Sequence, residues 1–329
     1  MKKKKLLWFI IFIELVVIGI ESFIIVPKFI DRVNSPKEKE ENTTVEKEKV
    51  TPLLYEVTKD GSDNKMYLYG SIHAADASNY EFPDYLMRAY NNSNFIACEY
   101  DITRDDLDLN IENYMYQDGT TVKDHMEEET YNMLIKFLKD KNYYNSYYEK
   151  FKLMFFSSLL ENILTNDIGL DMENGIDMYF INKAKKDNKT ILEVESEEFQ
   201  TNLLMNFPER YYEISIKDLL DDYDESIEQL KELYEAWKKG DLDELTELLS
   251  GEITEEDKTK YSADDYKLLM DVEKKLTADR NIIMTEKFDE YFKENKDVLF
   301  MVGTAHLVGD DGIAFLLKQK GYTVVQINK

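Results

Sequence analysis

The sequence predicts an α/β (α+β) domain with a mixed central sheet, flanking helices and a helical insertion, preceded by an N-terminal transmembrane helix. Three observations predict this architecture. Short apolar runs rich in β-branched and aromatic residues recur along the chain, segments with helical spacing lie between them, and the N-terminus is first basic and then apolar. Strands that alternate with helices are typical of an α/β domain.

The first segment, residues 1–27, is predicted to be a membrane anchor. Lys2–Lys5 form a basic flank, and the apolar run Leu6–Val26 follows it. As a helix this run would be about 31 Å long, enough to cross a hydrocarbon core of roughly 30 Å. The basic flank should stay inside, which predicts a single-pass protein of the cell membrane with its domain on the extracytoplasmic side. Glu14 and Glu21 interrupt the run, and a cleaved signal peptide is the alternative.

Residues 28–52 are predicted to be a charged flexible linker, because they hold too little apolar surface to fold alone. The folded domain is therefore expected over residues 53–329. The chain carries a formal net charge of -26, which argues against a nucleic-acid partner and favours cationic ligands. Its single cysteine, Cys98, excludes an intrachain disulfide and is interpreted as a small core residue.

Six apolar runs are predicted as strands: Leu53–Val57, Met66–Tyr69, Phe95–Cys98, Thr190–Val194, Val298–Val302 and Thr323–Ile327. Helical spacing predicts helices over Pro83–Asn91 and Thr130–Asp140.

Residues 209–296 contain no convincing strand and are predicted to be a helical insertion. Asp241 with Glu244 resembles a capping box that begins a helix after Gly240. Ala263–Asn295 is expected to form one long helix or a pair of helices. The insertion could cover a site as a lid, or it could be a helical layer packed on the sheet.

The motif Gly-x-x-His occurs twice, at Gly70–His73 and at Gly303–His306, each time directly after a predicted strand. With 12 glycines and 3 histidines among 329 residues, about 0.1 such matches are expected by chance. Glycine lets the backbone turn sharply or approach a ligand closely as it leaves a strand. Because ligand sites in open α/β sheets lie beyond the carboxyl ends of strands, the two histidines are expected to converge.

Glu99 follows the predicted strand Phe95–Cys98 in the same way. Two imidazoles and a carboxylate suit a divalent metal such as zinc, manganese or cobalt, which could polarise a carbonyl and activate water. A single histidine after a strand is more often a packing residue, and Glu99 could be a surface or capping acid, but the matched pair of motifs favours a site. His125 lies in a polar helix-start segment and is interpreted as structural.

Taken together, these motifs make the chain resemble the TraB/GumN family, whose animal relatives include the TIKI metalloproteases. The resemblance covers roughly residues 53–329, and its most specific segment is Gly303–Gly309 followed by Gly312. The supporting segments are Gly70–His73 with Glu99, Asp118–Val122 with Asp124 and His125, Gly175–Asp177 with Ala184, Leu192–Glu193 through Gln200, and Arg280–Asn281. The spacing from Glu193 to Gln200 is longer than in many members.

What the family implies is mixed, because bacterial TraB members are described as limiting peptide-pheromone activity and GumN members are poorly defined. The resemblance to TIKI members, which share both Gly-x-x-His motifs and a glutamate, implies a divalent-metal-dependent peptidase. It implies that His73 and His306 are metal ligands and that Glu99 is a ligand or the general base. Arg280 would then stabilise a developing oxyanion, and Glu193 would belong to the catalytic site or support it. The residues expected around these groups are the motif glycines Gly70 and Gly303 and the polar residues Ser71, Thr304, Gln200 and Asn281. The alternative interpretation of Arg280 and Asn281 is a buried ion pair and a helix contact. Gly175 and Asp177 are interpreted as a helix start rather than as a catalytic pair.

The first functional hypothesis is therefore a membrane-anchored, extracytoplasmic metal-dependent peptidase that acts on peptides or exposed protein termini. One alternative is a non-catalytic cell-surface protein that sequesters a peptide or another ligand. Another is a membrane-tethered interaction partner with a vestigial site.

Overall fold

The computed structural model of the chain describes residues 48–76, 80–104, 111–249 and 255–328. The anchor of residues 1–27 and the linker up to residue 47 lie outside these ranges and stay predictions. Within the described ranges, no helix combines the length and the apolar character that crossing a bilayer requires.

The core of the fold is a mixed six-stranded sheet with the strand order β4-β3-β5-β2-β1-β6. All six predicted strands are confirmed, with small shifts at their ends. The strands are β1 (Leu54–Thr58), β2 (Lys65–Ser71), β3 (Phe95–Cys98), β4 (Thr190–Glu193), β5 (Val298–Gly303) and β6 (Thr323–Gln326). The neighbours β4, β3, β5 and β2 run parallel, whereas β1 is antiparallel to both β2 and β6.

The position of each strand in the sheet explains its sequence pattern. The central strand β5 is buried along its whole length, and β2 is buried after its first residue, so both read as continuous apolar runs. The edge strand β6 alternates between exposed and half-buried residues, which matches the two-residue period of a strand. Because β2, β3, β4 and β5 are parallel, their carboxyl ends meet at one edge of the sheet.

Helices fill the connections between the strands. They are α1 (Asp84–Asn92), α2 (Glu128–Asp140), α3 (Leu153–Asp167), α4 (Ile176–Lys186), α5 (Glu197–Met205), α6 (Glu209–Asp221), α7 (Tyr223–Lys239), α8 (Leu242–Leu249), α9 (Glu255–Lys260), α10 (Ala263–Leu276), α11 (Ala278–Lys293) and α12 (Ile313–Gln319). The predicted helices Pro83–Asn91 and Thr130–Asp140 correspond to α1 and α2.

Where the structure describes it, the region 209–296 consists of helices joined by short turns and contains no strand, in agreement with the sequence. The backbone N–H of Glu244 donates to the Asp241 carboxylate at 3.0 Å, which is the predicted cap of α8. Gly240 ends α7 with φ +60, and a Cβ there would lie 2.1 Å from the carbonyl oxygen of Thr51. The segment Ala263–Asn295 forms a pair of helices, α10 and α11, which meet at Thr277 (φ -119, ψ -80).

The helical region touches the sheet at the edge where the parallel strands end. The buried indole of Trp237 on α7 donates to the carbonyl oxygen of Gly70 at 3.1 Å. The backbone N–H of Thr51 donates to the carbonyl oxygen of Lys238 at 2.7 Å. These contacts describe a helical layer packed on the sheet, and a lid motion of the same region stays a prediction.

One buried carboxylate in the helical layer gives a testable pH dependence. Asp218 on α6 is 4% exposed and contacts Lys260 at 2.7 Å and Tyr261 at 3.1 Å, and burial raises its pKa to about 6 in spite of these partners. Because the folded state holds this proton more tightly than the unfolded state does, stability should fall as the pH rises from about 4 to about 6. We therefore expect Asp218→Asn to raise the free energy of unfolding by about 1–3 kcal/mol at pH 7.5 and to change it little at pH 4.

Urea unfolding of both proteins at the two pH values measures this difference. Asp221→Asn, which removes an exposed carboxylate one turn further along α6, is the matched control. Equal stability of Asp218→Asn and the unsubstituted protein at pH 7.5 would contradict the prediction.

Candidate functional site

The two Gly-x-x-His motifs lie side by side because their strands, β2 and β5, are neighbours. Ser71 is paired in register with Gly303, and the Thr304 hydroxyl donates to the carbonyl oxygen of Ser71 at 2.9 Å. A Cβ on Gly70 would lie 2.7 Å from Thr304 Oγ1 and 3.3 Å from Thr304 Cα. Gly70 is therefore required for the close approach of the two strand ends.

Glu99 lies between the two histidines. Its Oε1 atom is 4.0 Å from His73 Nε2 and 3.9 Å from His306 Nε2. The same oxygen accepts a hydrogen bond from the backbone N–H of Gly303 at 3.0 Å. His73, Glu99 and His306 are 5%, 3% and 0% exposed, so the structure brings the three side chains together in the interior.

A carboxylate fixes the orientation of the His73 ring. Asp177, in the first turn of α4, lies 2.7 Å from His73 Nδ1 through its Oδ2 atom, and its Oδ1 atom accepts the Ser71 hydroxyl at 2.5 Å. An ionised carboxylate only accepts hydrogen bonds, so Nδ1 of His73 carries a proton, and in the neutral ring Nε2 presents a lone pair. That Nε2 atom is buried and has no hydrogen-bond partner.

An amide does the same for the His306 ring. Asn281 on α11 donates through Nδ2 to the carbonyl oxygen of Asp311 at 3.0 Å, which turns its Oδ1 atom toward His306 Nδ1 at 2.6 Å. The Nδ1 atom of His306 is therefore the donor, and its Nε2 atom is a second buried lone pair without a partner. Two imidazole acceptors thus face one carboxylate oxygen.

Arg280 holds two buried carboxylates at the other side of the site. Its Nη2 atom donates to Glu99 Oε2 at 2.8 Å and to Glu195 Oε2 at 2.7 Å, and its Nε atom donates to Glu195 Oε1 at 3.0 Å. Gln200 on α5 donates to the same two carboxylates, at 3.0 Å to Glu99 and at 2.8 Å to Glu195. Gln200 is thus in contact with the site, despite its unusual spacing from Glu193.

A model of the TraB/PrgY/gumN family matches residues 53–326 of this chain. The chain belongs to the TraB/PrgY/gumN family. This match confirms the family that the sequence motifs indicated, and the matched residues contain both Gly-x-x-His motifs and Glu99. Comparison with curated proteins and with solved structures produced no match.

The surroundings make the two histidines of this TraB/PrgY/gumN domain chemically different. Burial and the nearby Arg280 cation lower the pKa of His306 to about 3. Burial also acts to lower the pKa of His73, but the Asp177 carboxylate outweighs it and the net pKa is raised. For Glu99, burial is outweighed chiefly by the Arg280 cation, and its pKa falls to about 2. At neutral pH Glu99 is therefore ionised and His306 is neutral.

The buried cluster has an excess of negative charge. Asp177, Glu99 and Glu195 are three carboxylates, and Arg280 is the one guanidinium that contacts them among the described residues. The formal charge of the cluster is -2 with both imidazoles neutral and -1 with His73 protonated, which its raised pKa favours. Buried charge of one sign requires a counter-charge.

Three other residues, Glu193, His125 and Cys98, have their own contacts outside the pair His73 and His306. Glu193, at the end of β4, accepts hydrogen bonds from Arg104 at 2.9 and 3.1 Å and from the backbone N–H of Asp101 at 3.1 Å. His125 stacks on Tyr116 with ring centroids 3.8 Å apart, which agrees with a structural role. Cys98 is a buried free thiol next to Glu99, as expected for a core residue.

Two site residues were not predicted as such. Asp177 was interpreted as part of a helix start, and it does lie in the first turn of α4, but its side chain contacts His73 and Ser71. The sequence motifs predict Glu193, at the end of the strand, as the acidic site residue and do not indicate Glu195. Its position is set by a bend after β4, where its backbone N–H donates to the carbonyl oxygen of Glu99 at 2.8 Å.

Two imidazole nitrogens and a carboxylate oxygen are atom types that bind divalent cations, but the distances between them are longer than those between ligands of one ion. Among residues 48–76, 80–104, 111–249 and 255–328, no set of three or more His, Cys, Asp or Glu side chains has the arrangement of a formed metal site. Two ligands on one tetrahedral ion are about 3.4 Å apart, compared with the 3.9 and 4.0 Å that separate the two Nε2 atoms from Glu99 Oε1. An inward shift of about half an ångström would give ligand spacing.

Proposed function

We propose that this member of the TraB/PrgY/gumN family is a divalent-metal-dependent peptidase that acts on peptides or exposed protein termini. One observation carries the proposal. The buried Nε2 atoms of His73 and His306 both lack a hydrogen-bond partner, and both lie about 4 Å from Glu99 Oε1. The cluster keeps a net negative charge whether or not His73 is protonated, which is electrostatically unfavourable alone and favourable around a cation of charge +2.

His73, His306 and Glu99 would hold this cation, and manganese, cobalt or zinc suits two imidazoles and a carboxylate. A bound divalent cation polarises a substrate carbonyl and lowers the pKa of water. Glu99 is fixed by Gly303 and Arg280, and it would serve as a ligand or as the general base that accepts the proton of the attacking water.

Arg280 is proposed to position Glu99. Its Nε and Nη2 atoms donate to Glu99 and Glu195, and its Nη1 atom donates to the carbonyl oxygen of Leu276 at 3.2 Å. Because these donors are directed at protein groups, the site supports a positioning role for Arg280 better than the oxyanion role that the resemblance implied. Glu193, with its carboxylate on Arg104, is proposed to support the strand end rather than the reaction.

The basic and apolar N-terminus of residues 1–27 supports a place at the cell membrane, with the domain on the extracytoplasmic side. The acidic character of the chain supports peptide rather than nucleic-acid partners.

The alternative function is non-catalytic sequestration of a peptide or another ligand at the cell surface. The burial of the site favours it, since His306 is 0% exposed and a peptide would need a covering element to move before it could reach Glu99. The helical region 209–296, which contributes Arg280 and Asn281, is the element that would move as a lid.

Cleavage of a mixed peptide library by the full-length protein tests the proposal. The protein is stripped of metal and then supplied with manganese, cobalt or zinc. We expect metal-dependent cleavage that falls at least about a hundredfold in His73→Ala and in His306→Ala, because each variant removes one of the proposed ligands. His125→Ala removes the third histidine of the chain and should leave cleavage unchanged.

The absence of cleavage by folded, metal-loaded protein would contradict the peptidase proposal. Saturable binding of a peptide without a cleavage product would then support sequestration. Cleavage that survives both histidine substitutions would place the activity elsewhere in the molecule.

A further inference from the structure

The two histidines of the site have different partners. His73 Nδ1 faces an anion, Asp177, at 2.7 Å, whereas His306 Nδ1 faces a neutral amide, Asn281, at 2.6 Å. Each Nε2 atom is about equally far from Glu99 Oε1. The group that each Nδ1 atom faces is therefore a clear difference between the two rings.

Asp177 contacts His73 and not His306. Its side chain is 8% exposed, and its two oxygens are occupied by the Ser71 hydroxyl and the His73 ring. The surrounding backbone fixes it, because the N–H of Ile176 donates to the carbonyl oxygen of Ile72 at 3.0 Å. The start of α4 and the His73 segment are thus tied together at the place where the carboxylate meets the ring.

We infer that Asp177 is a positioning residue of the site, which holds His73 in the tautomer with a proton on Nδ1 and makes its Nε2 atom the stronger of the two imidazole donors toward a cation. This inference rests on the proposed function for the identity of the ligand, but the tautomer itself does not. A carboxylate behind a histidine fixes the ring and raises its basicity as a ligand, and loss of such a partner typically weakens metal binding about 10- to 100-fold.

Asp177→Asn is the sharpest test because it keeps the size of the side chain. The amide removes the charge, and its NH2 group is able to donate to His73 Nδ1, which would move the ring proton to Nε2 and abolish the lone pair that faces Glu99. Asp187→Asn is the matched control, since it makes the same change at the C-terminal end of α4, where Asp187 contacts Tyr90 at 2.9 Å and Lys183 at 2.8 Å.

The first measurement is the nitrogen NMR spectrum of the metal-free, full-length protein labelled with ¹⁵N-histidine, with the three histidines assigned through His125→Ala and His306→Ala. In the neutral His73 ring of the unsubstituted protein we expect the proton on Nδ1, and in Asp177→Asn we expect a neutral population with the proton on Nε2. The second measurement is calorimetric titration with Mn²⁺, Co²⁺ or Zn²⁺ alone. Asp177→Asn should bind 10- to 100-fold more weakly, and Asp187→Asn should bind within about threefold of the unsubstituted protein.

A neutral His73 ring with its proton on Nε2 in the unsubstituted protein would overturn the inference, even if Asp177→Asn did not fold. An Asp177→Asn protein that keeps the Nδ1 tautomer and the same metal affinity would also overturn it, while leaving the peptidase proposal intact. If the unsubstituted protein bound none of the three metals, the metal-dependent function would fail, and the tautomer of His73 would still decide whether Asp177 positions this ring.

Discussion

Replacing Arg280 with Met is expected to lower the free energy of unfolding by about 3–5 kcal/mol. The side chains of Arg280, Glu99 and Glu195 are 1%, 3% and 1% exposed, so the three charges are almost completely removed from water. Met fills a similar volume but provides no positive charge. The buried carboxylates of Glu99 and Glu195 would then keep, among the described residues, only Gln200 and the Gly303 N–H as hydrogen-bond donors. Breaking a buried ion pair by removing one partner is strongly destabilising.

Urea unfolding at neutral pH measures the effect. Arg210→Met is the matched control, because Arg210 also contacts several carboxylates, including Asp265 and Glu213, but it is 42% exposed. Water screens that network, so its loss should change the free energy of unfolding by about 1 kcal/mol or less. Equal losses in the two variants would show that the Arg280 cluster is better hydrated than its burial indicates.

Gly175→Ala is expected to destabilise the protein by more than about 2 kcal/mol and to displace His73. A Cβ at this position would lie 2.2 Å from the carbonyl oxygen of His73 and 3.0 Å from the carbonyl oxygen of Met172. The backbone of Gly175 has φ -53, which alanine adopts easily, so the entire effect comes from the collision. Both atoms belong to the backbone and cannot rotate away, so the His73 segment and the start of α4 must separate.

Thermal and urea unfolding measure the loss of stability, and metal titration measures the displacement of His73. Gly119→Ala separates collision from backbone strain, since Gly119 has φ +85 with no neighbouring atom within 4 Å of the added Cβ. That control should cost about 1 kcal/mol and leave metal affinity unchanged. If Gly175→Ala behaved like Gly119→Ala, the contact between the His73 backbone and α4 would be looser than the structure shows.

The strands could be predicted because their signal is local. Central strands such as β2 and β5 are buried on both faces, so each leaves a short apolar run that can be recognised without knowledge of its neighbours. These runs do not predict the order of the strands. The antiparallel position of β1 between β2 and β6 is known only from the structure. Likewise, helical spacing could not decide whether Ala263–Asn295 was one helix or two, since the break at Thr277 interrupts the backbone and not the apolar pattern.

The meeting of His73, Glu99 and His306 could be anticipated, but the partners of these side chains could not. His73, Glu99 and His306 each follow a strand, and parallel strands end at a common edge, so a local motif predicts that they meet. Asp177 reaches His73 across 104 positions of sequence, and its local pattern indicates only the start of a helix. Glu193 and Glu195 are equally acidic in sequence, and only the bend after β4 decides which carboxylate meets Arg280.

The pairing of β2 with β5 has a consequence for how the chain acquires its site. The register that joins Ser71 to Gly303 closes a loop of more than two hundred residues, and contacts of such high sequence separation form slowly. During synthesis from the N-terminus, His73 and Glu99 are made long before His306, and a nascent chain that lacks β5 has only part of the site. If metal binds at the proposed site, a pulse of metal given during refolding would report on the docking of β5. Removal of the residues after Lys296 would leave a chain without β5, without β6 and without His306.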